Sequence, residues 1–147
     1  MATQLDTPPR PAVTPAESQS ETRPDTRTWL LERIDGRVAA VVGVAWYVLF
    51  GIAQAIEPAP ANPNAVPGWI ENAIAVVFLG TLAVMLPGLI ARRRWGLLGS
   101  LAASVVFVAA TIACPTTGHH DFGFWWLGEM ACAAALLGLS VATLKRA

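Results

Sequence analysis

Cysteine, histidine and carboxylate side chains meet in one short segment of the sequence, ACPTTGHHDF, over residues 113–122. Thiolate, imidazole and carboxylate groups are together the ligands that suit zinc or copper. A further acid lies one helical turn into the apolar run that follows. The sequence therefore predicts a zinc or copper site whose candidate ligands are Cys114, His119, His120, Asp121 and Glu129.

The same segment has a second interpretation, in which its polar groups cap helix ends and hold a loop together. Adjacent His119 and His120 point to opposite sides of an extended loop, so only one of them would be a ligand. The sequence contains no Cys-x-x-Cys or His-x-x-x-His pair. A hydrogen bond between a histidine and Asp121 would tie the loop without any metal. Both interpretations stay open at this stage.

Two acids, Glu71 and Glu129, predict a different chemistry, the handling of a proton or a cation. Each lies near the end of an apolar run, where ionisable side chains are functional candidates. Two carboxylates that lie close together tend to share a proton or bind a cation. In the alternative interpretation, Glu129 forms a hydrogen bond between helices, with Gln54, Asn72 or a loop histidine as its partner.

Four apolar runs flank these polar groups. Hydrophobic residues make up 54% of the sequence and charged residues 14%, whereas about 25% charged residues is typical of soluble domains. A helix of about 20 residues crosses the ~30 Å hydrocarbon core of a bilayer. The predicted spans are about 37–56, 69–91, 95–114 and 125–144. We therefore expect an all-α fold, an integral membrane four-helix bundle.

The segment that precedes the first span has a different composition. Residues 1–28 are rich in Pro, Thr, Ser, Glu and Arg and hold few large apolar side chains. Such a segment cannot bury enough surface to offset its chain entropy, and it has no apolar run typical of a secretory signal peptide. We predict a disordered cytoplasmic tail over residues 1–28 and a membrane domain over residues 29–147.

The distribution of positive charge predicts how the spans are oriented. All ten Lys and Arg residues lie before the first span, between the second and third spans, or at the end of the chain. Basic loops favour the cytoplasmic side of a membrane. We therefore expect the protein to lie in the plasma membrane with both termini in the cytoplasm. The candidate ligands then lie at the outer end, level with Gln54, Glu57, Glu71 and Asn72.

Cys114 is expected to end the third span. The residue before a proline is pushed out of helical geometry, and Pro115 itself lacks a donor. Cys132 lies about 10 Å deeper along the fourth span by helix rise, which is too far for a disulfide with Cys114.

Two aromatic residues, Trp46 and Tyr47, lie about nine residues into the first span. Their polar atoms need partners at that depth, where no water is available. We therefore predict that one of the two side chains faces the interior of the bundle, where other helices supply hydrogen-bonding groups.

The four-span layout resembles that of small multidrug exporters and of small membrane subunits of redox systems, in layout alone. The exporter class needs an acid in the middle of its first span, and VAAVVGVAWYVLFGIAQAI has none. The sequence also contains no paired cysteines, no phosphate-binding loop and no recognisable Ser-His-Asp arrangement. A formal net charge of zero gives no electrostatic argument for a nucleic-acid partner.

These observations favour a small accessory or assembly protein with a polar outer vestibule, formed by the five candidate ligands, that binds a metal ion or a proton. Its expected partners are the lipid bilayer and either another membrane protein or further copies of this chain. The alternative is a small oligomeric, proton-coupled transporter that uses Glu129 and Glu71. An enzymatic activity is the least supported class.

Overall fold

The computed structural model describes residues 26–62 and 64–147. They form the helices α1 (Thr26–Leu31), α2 (Gly36–Ile56), α3 (Gly68–Ile90), α4 (Arg94–Thr116) and α5 (Phe124–Arg146). Helices α2 to α5 are each long and apolar enough to cross a membrane, which suggests a multi-pass membrane protein. The prediction of an all-helical chain with four helices of spanning length is confirmed. Of the predicted tail, residues 1–25 lie outside the described part of the chain.

Local sequence signals set the two ends of α2. Asp35 precedes the helix, and its carboxylate accepts a hydrogen bond of 2.6 Å from the backbone N–H of Arg37, which is a common way to cap a first turn. At the other end, Glu57 is the C-cap residue, and Pro58 follows it. A proline disfavours helical geometry in the residue before it. The carboxylate of Glu57 is thereby held at the very end of α2.

Helix α4 occupies the middle of the bundle. It packs along α3 on one side and along α5 on the other, and α2 packs mainly against α5. Contacts between α2 and α3 are few. The bundle therefore has a crevice between α2 and α3.

The two ends of the bundle differ in chemistry. One end, here called the histidine end, is formed by the loops 57–67 and 117–123. The other, the arginine end, is formed by α1, the turn 91–93 and the end of α5. At the arginine end, α1 is tied to the turn by the Arg93 guanidinium, which donates to the carbonyl of Leu31. Glu32, which follows α1, forms a 3.1 Å ion pair with Arg94, the first residue of α4.

A polar network crosses the middle of the bundle. Trp46 is buried, and its indole N–H donates a 2.8 Å hydrogen bond to the hydroxyl of Ser100. The hydroxyls of Ser100 and Ser140 lie 2.7 Å apart. Tyr47, by contrast, is 85% exposed. The prediction that one of these two aromatic residues faces the interior is confirmed.

The prediction that Cys114 ends the third long helix is wrong, because α4 continues through Pro115 to Thr116. Proline cannot donate to the carbonyl four residues before it. That carbonyl, on Thr111, instead accepts a 2.9 Å hydrogen bond from the indole N–H of Trp126. The hydroxyls of Thr116 and Thr117 donate to carbonyls of the last turn. The bond from Trp126 replaces the one that proline removes, and the helix continues for two residues past Cys114.

Candidate metal centre at the histidine end

Three side chains from different elements converge at the histidine end. One potential ligand atom from each of Glu57, Cys114 and His120 lies within 4.8 Å of the other two. Nε2 of His120 and Oε1 of Glu57 lie 3.1 Å apart. Glu57 comes from the end of α2, Cys114 from the last turn of α4, and His120 from the loop that follows. Two of the predicted ligands are thus brought together with a third group.

The position of His120 is set by packing on several sides. Its side chain is 3% exposed, and its ring centroid lies 5.2 Å from that of Trp125 and 4.7 Å from that of His119. The backbone N–H of His119 donates to the carbonyl of Cys114 at 3.1 Å, which closes the turn. Gly118, at φ +77°, adopts the left-handed conformation that this turn requires. His120 is therefore held against the end of α4.

Backbone hydrogen bonds join the two loops of the histidine end. The carbonyl of His119 accepts from the N–H groups of Ala61 and Asn62, at 3.0 and 3.2 Å. The loop that follows Glu57 is thereby fixed to the loop that carries the histidines. Groups that are far apart in the sequence are held together by these bonds.

The two adjacent histidines face different carboxylates. Nδ1 of His119 lies 3.6 Å from Oε1 of Glu71, at the start of α3, whereas His120 faces Glu57. A separation of 3.6 Å is within ion-pair range but too long for a hydrogen bond. His119 and Glu71 therefore form a second, looser pair beside the three-residue cluster.

Glu129 lies deeper, on α5, and is 4% exposed. Its Oε2 atom is buried and has no hydrogen-bond partner among the described residues. Thr111 is its polar neighbour on α4. Gln54, one of the partners expected from the sequence, donates instead to Glu57 at 3.4 Å. Glu129 is thus near the cluster without belonging to it.

Asp121 and Cys132 take other positions. The side chain of Asp121 is exposed and outside the cluster, while its backbone carbonyl accepts a 3.0 Å hydrogen bond from Trp125. Both cysteines are free, and Cys132 is buried in the hydrophobic core. The structure therefore places Cys114 and His120 together, His119 and Glu129 beside them, and Asp121 at the surface.

Sequence spacing does not identify Glu57 as a member of the cluster. Glu57 is distant from Cys114 along the chain, and the loop that it begins contains no histidine, no cysteine and no second acid. The signal available in the sequence is its position at the end of a span, on the same side of the bundle as the histidines. Only the packing of α2 next to the loop 117–123 selects Glu57 rather than Asp121.

A cavity of about 450 Å³ lies beside the cluster, between α2, α3 and α4. Toward the histidine end its wall is polar, and deeper in the bundle it is apolar. The polar wall includes Gln54, Glu57, Glu71, Cys114, His119 and Glu129; the apolar wall includes Phe50, Ile74, Phe78, Val106 and Phe107.

The cluster offers one sulfur, one nitrogen and carboxylate oxygen, a set that suits zinc or copper. Zinc bonds of about 2.0–2.3 Å place neighbouring ligand atoms about 3.5 Å apart. The pair formed by Glu57 and His120 already meets that spacing. Side-chain rotations that move the thiol on the order of 1 Å would complete a three-ligand site, given the same bond lengths.

Comparison of the chain with protein-family models, with curated proteins and with solved structures finds no match.

Proposed function

We propose that this chain is a small multi-pass protein of the cytoplasmic membrane that holds a zinc or copper ion at its histidine end. The observation that carries the proposal is the convergence of Glu57, Cys114 and His120. Thiolate and imidazole ligands select these metals over magnesium and calcium, which prefer oxygen. Nε2 of His120 already faces Glu57, and its buried Nδ1 has no hydrogen-bond partner among the described residues.

Insertion into a bilayer is supported by the outer faces of α2 and α3. Large apolar side chains there lie exposed on the isolated chain, among them Val44 at 62%, Val76 at 69% and Leu79 at 63%. Monomers in water rarely expose continuous apolar surfaces of this kind. Lipid acyl chains would cover these faces, while the helices satisfy their own backbone hydrogen bonds.

The proposed orientation places both termini in the cytoplasm and the histidine end outside. It rests on the basic residues of the arginine end, because Lys and Arg favour cytoplasmic loops. An impermeant thiol reagent tests it in intact cells, with Cys114 and Cys132 replaced by Ala. We expect Asn64→Cys to be labelled and Ala91→Cys to be protected. The reverse pattern would overturn the orientation.

Metal content measured on the purified protein tests the site itself. We expect near-stoichiometric zinc or copper in the native protein after purification in a neutral detergent without chelator. His120→Ala and Cys114→Ser should lose it, because each removes a ligand. His119→Ala is the matched control, since its imidazole faces Glu71 and the metal should be retained. Native protein that stays empty after incubation with either metal contradicts the proposal.

We further propose that the metal serves a partner membrane protein, so that this chain acts as an accessory or assembly protein. The three ligands lie where α2 and α4 end, at the rim of a small bundle. A metal held there lies next to the surface at which a neighbouring membrane protein would bind. Extraction in a mild detergent should recover a complex larger than one chain. A monodisperse single chain under those conditions would count against this role.

A further inference from the structure

Glu129 presents a polar group that the metal site does not use. Its side chain is 96% buried, it lines the cavity between α2, α3 and α4, and Oε2 has no hydrogen-bond partner among the described residues. Its oxygens do not belong to the cluster of Glu57, Cys114 and His120. A buried carboxylate oxygen that has no partner is costly while the group is charged, unless a cation binds it.

The charges around the cavity favour a cation as the missing partner. Three carboxylates line it, and among the described lining residues none is Lys or Arg. Glu57 faces His120 and Glu71 faces His119, so two of these carboxylates already have an imidazole beside them. Glu129 is the one of the three that forms no ion pair with the described residues.

The rest of the wall is apolar and aromatic. Phe50 and Phe78 pack with their ring centroids 5.4 Å apart, and Phe107 lies 5.5 Å from Phe50. These three rings line the deeper part of the cavity, beyond Glu129 as seen from the loops. The cavity therefore combines a buried carboxylate with an aromatic, apolar surface.

We infer that the cavity binds a lipophilic organic cation, whose charged centre pairs with Glu129 and whose apolar body rests on Phe50, Phe78 and Phe107. The volume of about 450 Å³ suits one small organic molecule. Aromatic faces also attract a cation directly. This inference does not depend on the metal site, because Glu129 is outside the three-residue cluster.

A phospholipid with a cationic headgroup is a poorer occupant. Its phosphate would enter together with the amine. The negative phosphate would then lie near the carboxylates of Glu57 and Glu71, and the described wall contains no Lys or Arg to neutralise its charge. The cavity therefore selects a cation that carries no phosphate.

Equilibrium dialysis of the full chain in a neutral detergent tests this inference, with tetraphenylphosphonium as the probe. Tetraphenylborate is the control ligand, since it has the same shape and the opposite charge. We expect saturable binding of the phosphonium and no saturable binding of the borate. Glu129→Gln should weaken phosphonium binding about tenfold or more, because the attraction between the cation and a buried carboxylate is lost. Asp121→Asn, an exposed acid outside the cavity, should bind as the native protein does.

A second variant keeps the test decisive if Glu129→Gln does not fold. Ala75 lies on the exposed side of α3 and lines the cavity, so Ala75→Phe fills the crevice and leaves the carboxylate in place. It should also weaken phosphonium binding. The inference is overturned if the native protein does not bind the phosphonium, or binds the borate equally well. It is also overturned if Glu129→Gln binds the phosphonium as tightly as the native protein does.

The metal proposal and this inference fail separately. His120→Ala should lose the metal and bind the phosphonium as the native protein does, whereas Glu129→Gln should retain the metal and bind the phosphonium more weakly. If both variants fold and each loses the metal as well as the phosphonium, the two sites are one. That result would overturn the independence claimed for the cation site.

Discussion

Replacing Gly88 by Ala should separate the two helices that pack most extensively, α3 and α4. A Cβ atom added at Gly88 would lie 2.6 Å from the backbone nitrogen of Gly96 and closer still to its Cα. Both are backbone atoms, so no side-chain rotation can relieve the overlap. Gly80 on the same helix is the matched control, because a Cβ added there meets no atom within 4 Å.

The size of the effect follows from that overlap. Carbon atoms in good contact lie about 3.5–4.0 Å apart, so the helices must move apart by about 1 Å. A gap of that size forfeits a quarter to a half of the attraction between atoms that had been in contact. The contact of Gly99 with the backbone of Met85, further along the same interface, would be loosened as well. We expect Gly88→Ala to lower the free energy of unfolding by about 1–3 kcal/mol.

Titration with a denaturing detergent, followed by circular dichroism or tryptophan fluorescence, measures this free energy. Gly80→Ala should leave it unchanged or raise it by no more than about 1 kcal/mol, since alanine is the better helix former. Equal stability of Gly88→Ala and Gly80→Ala would refute the close packing of α3 on α4 described above.

Two further substitutions probe the rest of the fold in the same assay. Trp46→Phe removes the hydrogen bond to Ser100 and should lower the free energy of unfolding by about 0.5–1.5 kcal/mol; no change would mean that the polar network contributes nothing. Glu32→Gln removes the ion pair with Arg94, in which Glu32 is 54% exposed, and should change the free energy by no more than about 0.5 kcal/mol. A larger loss would show that α1 depends on this pair.

The four long helices could be predicted from the sequence because bilayer thickness requires apolar runs of a set length. The helix that continues past Pro115 could not, because the indole of Trp126 replaces the missing bond from another helix. Similarly, the sequence shows that Trp46 or Tyr47 must turn inward, and only the packing selects Trp46. Which helices are neighbours also depends on packing: nothing in the sequence shows that α2 packs mainly against α5.

The candidate site was predictable in its location and less so in its members. The gathering of polar groups at one end follows from the alternation of basic and non-basic loops. Cys114 and His120 then meet because the turn at Gly118 folds the loop back on the end of α4. Glu57 joins them through the packing of α2, which no spacing in the sequence reveals. The Oε2 atom of Glu129, which has no hydrogen-bond partner among the described residues, is likewise visible only once its neighbours are in place.

Absorption spectroscopy of the cobalt-substituted protein tests the metal site most directly. Co²⁺ replaces zinc in most sites of this kind, and a bound thiolate adds an intense charge-transfer band in the near ultraviolet. We predict that band in the native protein, its loss in Cys114→Ser, and its persistence in Cys132→Ser, which removes the other thiol. A spectrum without the band, or a band that depends on Cys132 rather than Cys114, would contradict the site formed by Glu57, Cys114 and His120.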